Sequence, residues 1–111
     1  MLKTDIFELS ARAEKAQLIV QSRHQNLDPV IGVNRSMRKR GFPVDLITID
    51  CLLTQRRVTM MLDDTKVGRV FYRFETVDAD QHIAFSELEF ARVTSDRIAN
   101  WIIGVFTQVS E

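Results

Sequence analysis

The sequence predicts one α+β domain over residues 1–111, a two-layer sandwich with helices on one face of a four-stranded antiparallel meander sheet. Its length fits a single domain, and 45% hydrophobic and 27% charged residues are typical of a globular chain. The spacing of apolar residues is helical at both ends of the chain and alternates in the middle. This change of period predicts helix, strands and helix in that order.

The first predicted helix covers residues 5–25. Its apolar residues recur at three- and four-residue steps, while charged residues fall largely elsewhere: Ile6, Leu9, Ala13, Ala16 and Val20 form the stripe. Asp5 and Glu8 have the spacing of a capping box, with aspartate in place of serine or threonine. These features indicate an amphipathic N-terminal helix.

A second helix is predicted over residues 29–40. Asp28-Pro29 resembles a helix start, and Gly41 supplies a stop signal twelve residues after the proline. Together with the first helix it would form an αα-hairpin. The alternative is a long irregular loop, which is uncommon in compact domains.

Alternating apolar residues then predict four strands, over residues 45–53, 58–62, 67–76 and 82–93. The fourth changes phase, because Ile83 and Phe85 fall on one face whereas Leu88 and Phe90 fall on the other. Either a bulge near Ser86-Glu87 restores the phase, or this strand is apolar on both faces. The last helix follows a cap at residues 94–96 and has a wide apolar stripe: Ile98, Trp101, Ile102, Val105, Phe106 and Val109.

The predicted strands have apolar residues on both faces, although helices would cover only one. The residues opposite the main apolar set are Leu46, Leu52, Met61 and Phe71. A contiguous exposed apolar group often marks an interface. The pattern therefore predicts a homodimer or a protein partner at this face, unless these residues are scattered or are covered by residues 27–44.

Cations cluster in the middle of the chain. Candidate anion- or nucleic-acid-binding residues are Arg35, Arg38, Lys39, Arg40, Arg56 and Arg57. Residues 23–57 hold seven cations and three acids (+4), and from Asp63 onward nine acids oppose five cations (−4). The alternatives are compensation of a helix dipole and charge complementarity within the chain. A net charge of zero disfavours a dedicated nucleic-acid-binding protein.

The sequence contains no recognisable catalytic or metal-binding motif, and we predict neither catalytic residues nor a metal or cofactor. Cys51 is in phase with the apolar residues of its strand, which indicates core packing. Asp78 to Glu89 weakly resembles a calcium loop, but Ile83 replaces the required glycine. Glu87, Glu89 and His82 remain the alternative for a small enzyme site around residues 82–89.

The sequence contains no apolar run that could span a bilayer, and it has a single cysteine. We therefore predict a cytoplasmic protein without a membrane partner. The function predicted is a noncatalytic interaction or regulatory module that self-associates through an apolar sheet face. Nucleic-acid or anionic-ligand binding through residues 35–40 and a small enzyme remain the alternatives.

Overall fold

A computed structural model describes residues 5–76 and 83–107. Its elements are α1 (Ile6–Arg23), β1 (Pro29–Asn34), α2 (Ser36–Lys39), β2 (Val44–Cys51), β3 (Arg56–Asp63), β4 (Arg69–Thr76), β5 (Ser86–Glu89), a 3₁₀ turn (Phe90–Arg92) and α3 (Ser95–Phe106). The strands form one antiparallel meander in the order β1-β2-β3-β4-β5. The predicted α+β class and the terminal helices are confirmed, but the sheet has five strands and not four.

The fifth strand replaces the helix predicted over 29–40, and that prediction was wrong. Residues 29–34 form edge strand β1, and only the four residues of α2 are helical. Val30, Ile31 and Val33 are β-branched, and such side chains favour a strand. Pro29 begins the strand in place of a helix, and Gly41, at φ 94°, ends the short turn that follows. The αα-hairpin is therefore absent from the described part of the chain.

Local caps fix the beginnings of both long helices. Asp5 Oδ1 accepts a hydrogen bond from the Phe7 N–H at 2.8 Å, and Thr94 Oγ1 accepts one from the Arg97 N–H at 3.2 Å. Each bond satisfies a donor that the first turn of a helix leaves unpaired. These contacts confirm Asp5 and Thr94 among the predicted caps.

The two helices pack against each other and against the same side of the sheet, which we call the inner face. One core cluster joins the predicted stripe of α1, the stripe of α3 as far as Phe106 and alternate residues of the strands, whereas Val109 of the predicted stripe lies outside the described residues. Its members from the central strands are Ile47, Ile49, Cys51, Val58, Met60, Leu62 and Val70. The intervening residues of these strands therefore point to the opposite side, the outer face.

The bulge predicted near Ser86-Glu87 is not present. Pairing runs without interruption from Tyr72 opposite Ser86 to Arg69 opposite Glu89. Leu88 packs against the core, and the chain then turns into the 3₁₀ segment, so that Phe90 reaches the same core outside the strand. The strand predicted over 82–93 is therefore shorter, and the change of phase is accommodated because β5 begins only at Ser86 and leaves Ile83 and Phe85 outside it.

Aromatic side chains connect α3 with the inner face near β4. Trp101 stacks on Tyr72 with ring centroids 4.4 Å apart, and the edge contact with Phe74 is at 5.8 Å. The single tryptophan therefore sits at the contact between helix and sheet, where its fluorescence will report their separation.

We expect Ile102→Ala to lower the free energy of unfolding by about 2–4 kcal/mol, because the change leaves a cavity in a close-packed core. Ile102 is fully buried in α3. Urea denaturation followed by Trp101 fluorescence measures the change. The matched control is Leu53→Ala at an exposed turn position, for which we expect a change within about 0.5 kcal/mol. Equal losses in both variants would contradict the assigned core.

Candidate functional site: the outer face of the sheet

Three of the four predicted interface residues lie side by side on the outer face. Leu46 of β2 is opposite Met61 of β3, and Met61 is opposite Phe71 of β4. Directly opposed residues have Cβ atoms about 4.5–5.5 Å apart, so the three side chains are neighbours. We call Leu46, Met61 and Phe71 the outer row.

The outer row crosses the three central strands and ends at polar residues. Asn34 of β1 is opposite Leu46, and Glu87 of β5 is opposite Phe71. All three members of the row are half-buried, whereas α1 and α3 pack on the inner face. The row is therefore an apolar centre on a face without a helical layer.

Leu52, the fourth predicted interface residue, lies apart from the row. It is exposed in the turn between β2 and β3, next to the exposed Leu53. Both leucines border a cavity of about 280 Å³ together with Asp28 and Cys51. The structure thus brings together three of the predicted interface residues and places the fourth at one end of the sheet.

Ion pairs and hydrogen bonds lie farther along the outer face, starting from Thr59 and Arg73, which neighbour the outer row. Arg57 donates to both carboxylate oxygens of Asp50, at 2.6 and 2.9 Å. The Asp50 hydrogen bond raises the pKa of Arg57, although burial opposes this shift. Beside this pair, Glu75 accepts from Thr59 Oγ1 at 2.7 Å and from Arg73 Nε at 2.8 Å. The charged groups Asp50, Arg57, Arg73 and Glu75 on this part of the outer face are therefore paired within the chain.

Arg73 also fixes the segment that leads into β5. Its guanidinium lies 4.4 Å from the centroid of the Phe85 ring, and its Nη1 donates to the Ile83 carbonyl at 3.2 Å. A cation over an aromatic face is favourable by about 0.5–1 kcal/mol at an exposed site. Phe85 thus adds an apolar side chain to the outer face near the β5 edge.

The predicted basic segment is organised around one acid, Asp45, whose side chain is only 5% exposed. Arg38 donates to both of its oxygens at 3.0 Å, and Arg35 Nε donates at 3.2 Å. Arg38 also makes two hydrogen bonds to Asp64, at 2.9 and 3.0 Å. Asp64 belongs to the acidic part of the chain, so these contacts join the two oppositely charged parts.

The Asp45 cluster determines how these groups titrate. Burial alone would raise the pKa of Asp45, but the hydrogen bonds from Arg38 and Arg35 outweigh it and lower that pKa. The hydrogen bonds to Asp64 and Asp45 raise the pKa of Arg38. The segment therefore holds a buried carboxylate in its charged form.

The remaining cations of the predicted anion-binding set differ in their surroundings. Lys39 and Arg40 are exposed at the end of α2, whereas Arg56 is half-buried and Arg57 pairs with Asp50. Pairing with acids reduces the positive potential available to a phosphate. Anion binding through this set remains a prediction, with Lys39 and Arg40 as its most exposed members.

The residues proposed for a small enzyme site do not form a cleft in the part of the chain that the structure describes. Glu87 and Glu89 are exposed, and Glu87 lies 3.6 Å from Arg69. His82 and the calcium-like stretch from Asp78 to Gln81 lie outside the described residues. Over residues 5–76 and 83–107, no cluster of three or more histidine, cysteine or acidic side chains could hold a metal ion.

No family model, curated protein or solved structure matches this chain. Its function must therefore be argued from its own surfaces. One further general property can be stated: none of the described helices is long and apolar enough to cross a membrane.

The structure also reveals a role that the sequence analysis missed, that of Asp45. Asp45 is in phase with Ile47, Ile49 and Cys51, so the alternation places it on the inner face. A carboxylate at such a position needs cationic partners, since burial of an unpaired charge is costly. The position of Asp45 in the alternation was therefore the sequence signal for a buried carboxylate, and the nearby arginines were the candidates to pair with it.

We expect Asp45→Asn to lower the free energy of unfolding at neutral pH by about 1–3 kcal/mol, because Arg35 loses its charged partner and Arg38 loses one of two. A lowered pKa in the folded state adds stability above the ordinary value of 3.8, and this stability is lost as pH falls through the folded value. The variant should therefore lose less stability on acidification than the wild type. Urea titrations at pH 7 and pH 3 measure both effects.

The neighbouring cations of α2 provide a matched control for the Asp45 cluster. Arg38→Gln removes the contacts to Asp45 and Asp64 and should lower the melting temperature, whereas Arg40→Gln removes an exposed charge and should not. Equal melting temperatures for these two variants would show that the cluster does not stabilise the fold.

Proposed function

We propose that this domain is a noncatalytic association module that forms a homodimer through the outer row. The observation that supports this proposal is the cross-strand alignment of Leu46, Met61 and Phe71 on the face opposite the helices. An antiparallel sheet with one covered face usually has a polar second face. An apolar row at the centre of that face instead favours burial against another molecule.

The arrangement of the outer face resembles the general anatomy of protein interfaces. Such interfaces have an apolar, often aromatic, centre and a polar rim that stays close to water. Here Phe71 is the aromatic member of the row, Arg73 is at the next outer-face position of β4, and the Arg73–Glu75 and Arg57–Asp50 pairs continue along the face away from the row. Because these pairs are already formed, a partner would not have to neutralise them.

A second copy of the chain is the occupant that this face fits best. In a two-fold symmetric dimer the same patch meets itself, so one apolar row on each copy supplies both sides of the contact. A polar partner surface would leave the row unmatched, and a strongly charged partner would meet a rim of paired charges. As part of this proposal we place the protein in the cytoplasm, where the lone buried Cys51 would stay reduced.

We expect Phe71→Lys to weaken this dimer about a hundredfold, because symmetry introduces two lysines and removes two apolar side chains from the contact. The expected result is a shift of the mass toward one protomer in light scattering over a dilution series. Circular dichroism should show that the fold is retained, since Phe71 does not belong to the core cluster.

The matched control is Val67→Lys, which adds the same charge at an exposed position in the turn between β3 and β4. Its mass should equal that of the wild type at every concentration. A Phe71→Lys variant with wild-type mass, or a wild-type chain that is monomeric at high concentration, would refute association through the outer row.

A further inference from the structure

Strand β1 is an edge strand with an open side. It pairs with β2 alone, so every second residue turns its backbone N–H and C=O away from the sheet. Within the described residues, no backbone group outside β2 bonds to β1. One side-chain contact closes its beginning, because Gln17 Nε2 donates to the Pro29 carbonyl at 2.6 Å.

The two edges of the sheet are protected very differently. Edge strand β5 has only four residues, carries Glu87 and Glu89, and ends in a 3₁₀ turn. Shortness and charge are the devices by which proteins prevent pairing at an edge. Strand β1 has six residues and no charged side chain among them. Pro29 and its hydrogen bond from Gln17 protect only the beginning of β1, so the β1 edge is less protected against pairing than the β5 edge.

A groove with both polar and apolar lining residues runs between α1 and β1. It has a volume of about 570 Å³ and is bordered by Ser10, Glu14, Gln17, Leu18 and residues 28–31 and 33. The exposed fractions of the apolar side chains along this side are high: Phe7 70%, Leu18 66%, Val30 43% and Val33 49%. These residues come from both the helix and the strand, so one surface displays an open strand beside a partly apolar helix flank.

The charges at the two ends of β1 indicate the orientation of its partner. Asp28 immediately precedes the strand, and Arg35 immediately follows it. An antiparallel partner of identical sequence brings the acidic end of each strand to the basic end of the other, whereas a parallel partner brings like charges together. Arg35 donates to Asp45 through Nε and its guanidinium lies 5.8 Å from the centroid of the Phe7 ring, so its terminal nitrogens can face a second acid.

From these features we propose that β1 pairs in an antiparallel manner with β1 of a second copy, forming a continuous ten-stranded sheet. The backbone hydrogen bonds along the seam supply the pairing, as in other cases of strand addition. The α1 helices of the two copies then face each other across the seam, where Phe7 and Leu18 lose their exposure to water. The contact is two-fold symmetric and closed.

This edge contact is independent of the outer row. Pairing through β1 extends the sheet sideways and leaves both outer rows uncovered. Two such ten-stranded sheets could then stack through their outer rows, which would give a tetramer with two kinds of two-fold contact. Each contact can therefore be removed without removing the other.

Val33→Lys tests the edge contact, because it places a charge on an exposed side chain of β1. Light scattering over a dilution series compares the wild type with Val33→Lys, Phe71→Lys and the Val67→Lys control. We expect Val33→Lys to raise the dissociation constant at least about tenfold. Asp28→Lys, which brings a like charge to the end of the seam where Arg35 of the other copy lies, should act in the same direction.

The outcomes separate the two contacts. If Val33→Lys halves the mass and Phe71→Lys does not, the edge contact stands and the outer-row dimer fails. If only Phe71→Lys halves the mass, the edge contact is overturned. If each variant halves the mass of a tetramer, both stand, and a monomeric wild type overturns both.

Hydrogen exchange of the wild type provides a measurement that needs no variant. Alternate amides of β1 should exchange more slowly at high protein concentration than at low concentration, because a second strand protects them. Exchange of β1 that does not change with concentration, in a chain whose mass shows association, would overturn the edge contact.

Discussion

The register of β2, β3 and β4 is the constraint on which the rest of the structure depends. Because side chains alternate between the two faces, one register places Ile47 and Met60 under the helices and Leu46 and Met61 on the outer face. A slip of one residue would exchange the two sets and expose the core. The inner layer therefore fixes the position of the outer row, whose alignment is a consequence of core packing.

The same register explains why the segregated charges of the chain are a weaker indication of function than the sequence suggests. Asp45 lies on the inner face near the beginning of β2, and it can stay ionised there only because Arg35 and Arg38 donate hydrogen bonds to it. Arg38 then continues to Asp64, which joins the basic middle of the chain to its acidic part. Much of the charge segregation thus serves the fold, and the apolar surfaces become the stronger indication of function.

Local sequence signals predicted the elements that are stabilised locally. The caps and apolar stripes of α1 and α3 lie within single segments, as do the alternating residues of β2, β3 and β4. Strand β1 was mistaken for a helix because Asp28-Pro29 can begin either element, and the choice depends on pairing with β2. Gly41 ends the short turn after α2 and does not bound the strand, which stops at Asn34. The outer row was predicted from phase for three residues, but the position of Leu52 depends on the shape of a turn.

The buried thiol of Cys51 has a consequence of its own. It lies at the last position of β2, opposite Pro29, where the sheet meets the turn that carries Leu52 and Leu53. An alkylating reagent can reach the sulfur only when this corner of the sheet opens, since Cys51 is only 3% exposed. The rate at which Cys51 is alkylated in the native state therefore measures how often that corner of the sheet opens locally.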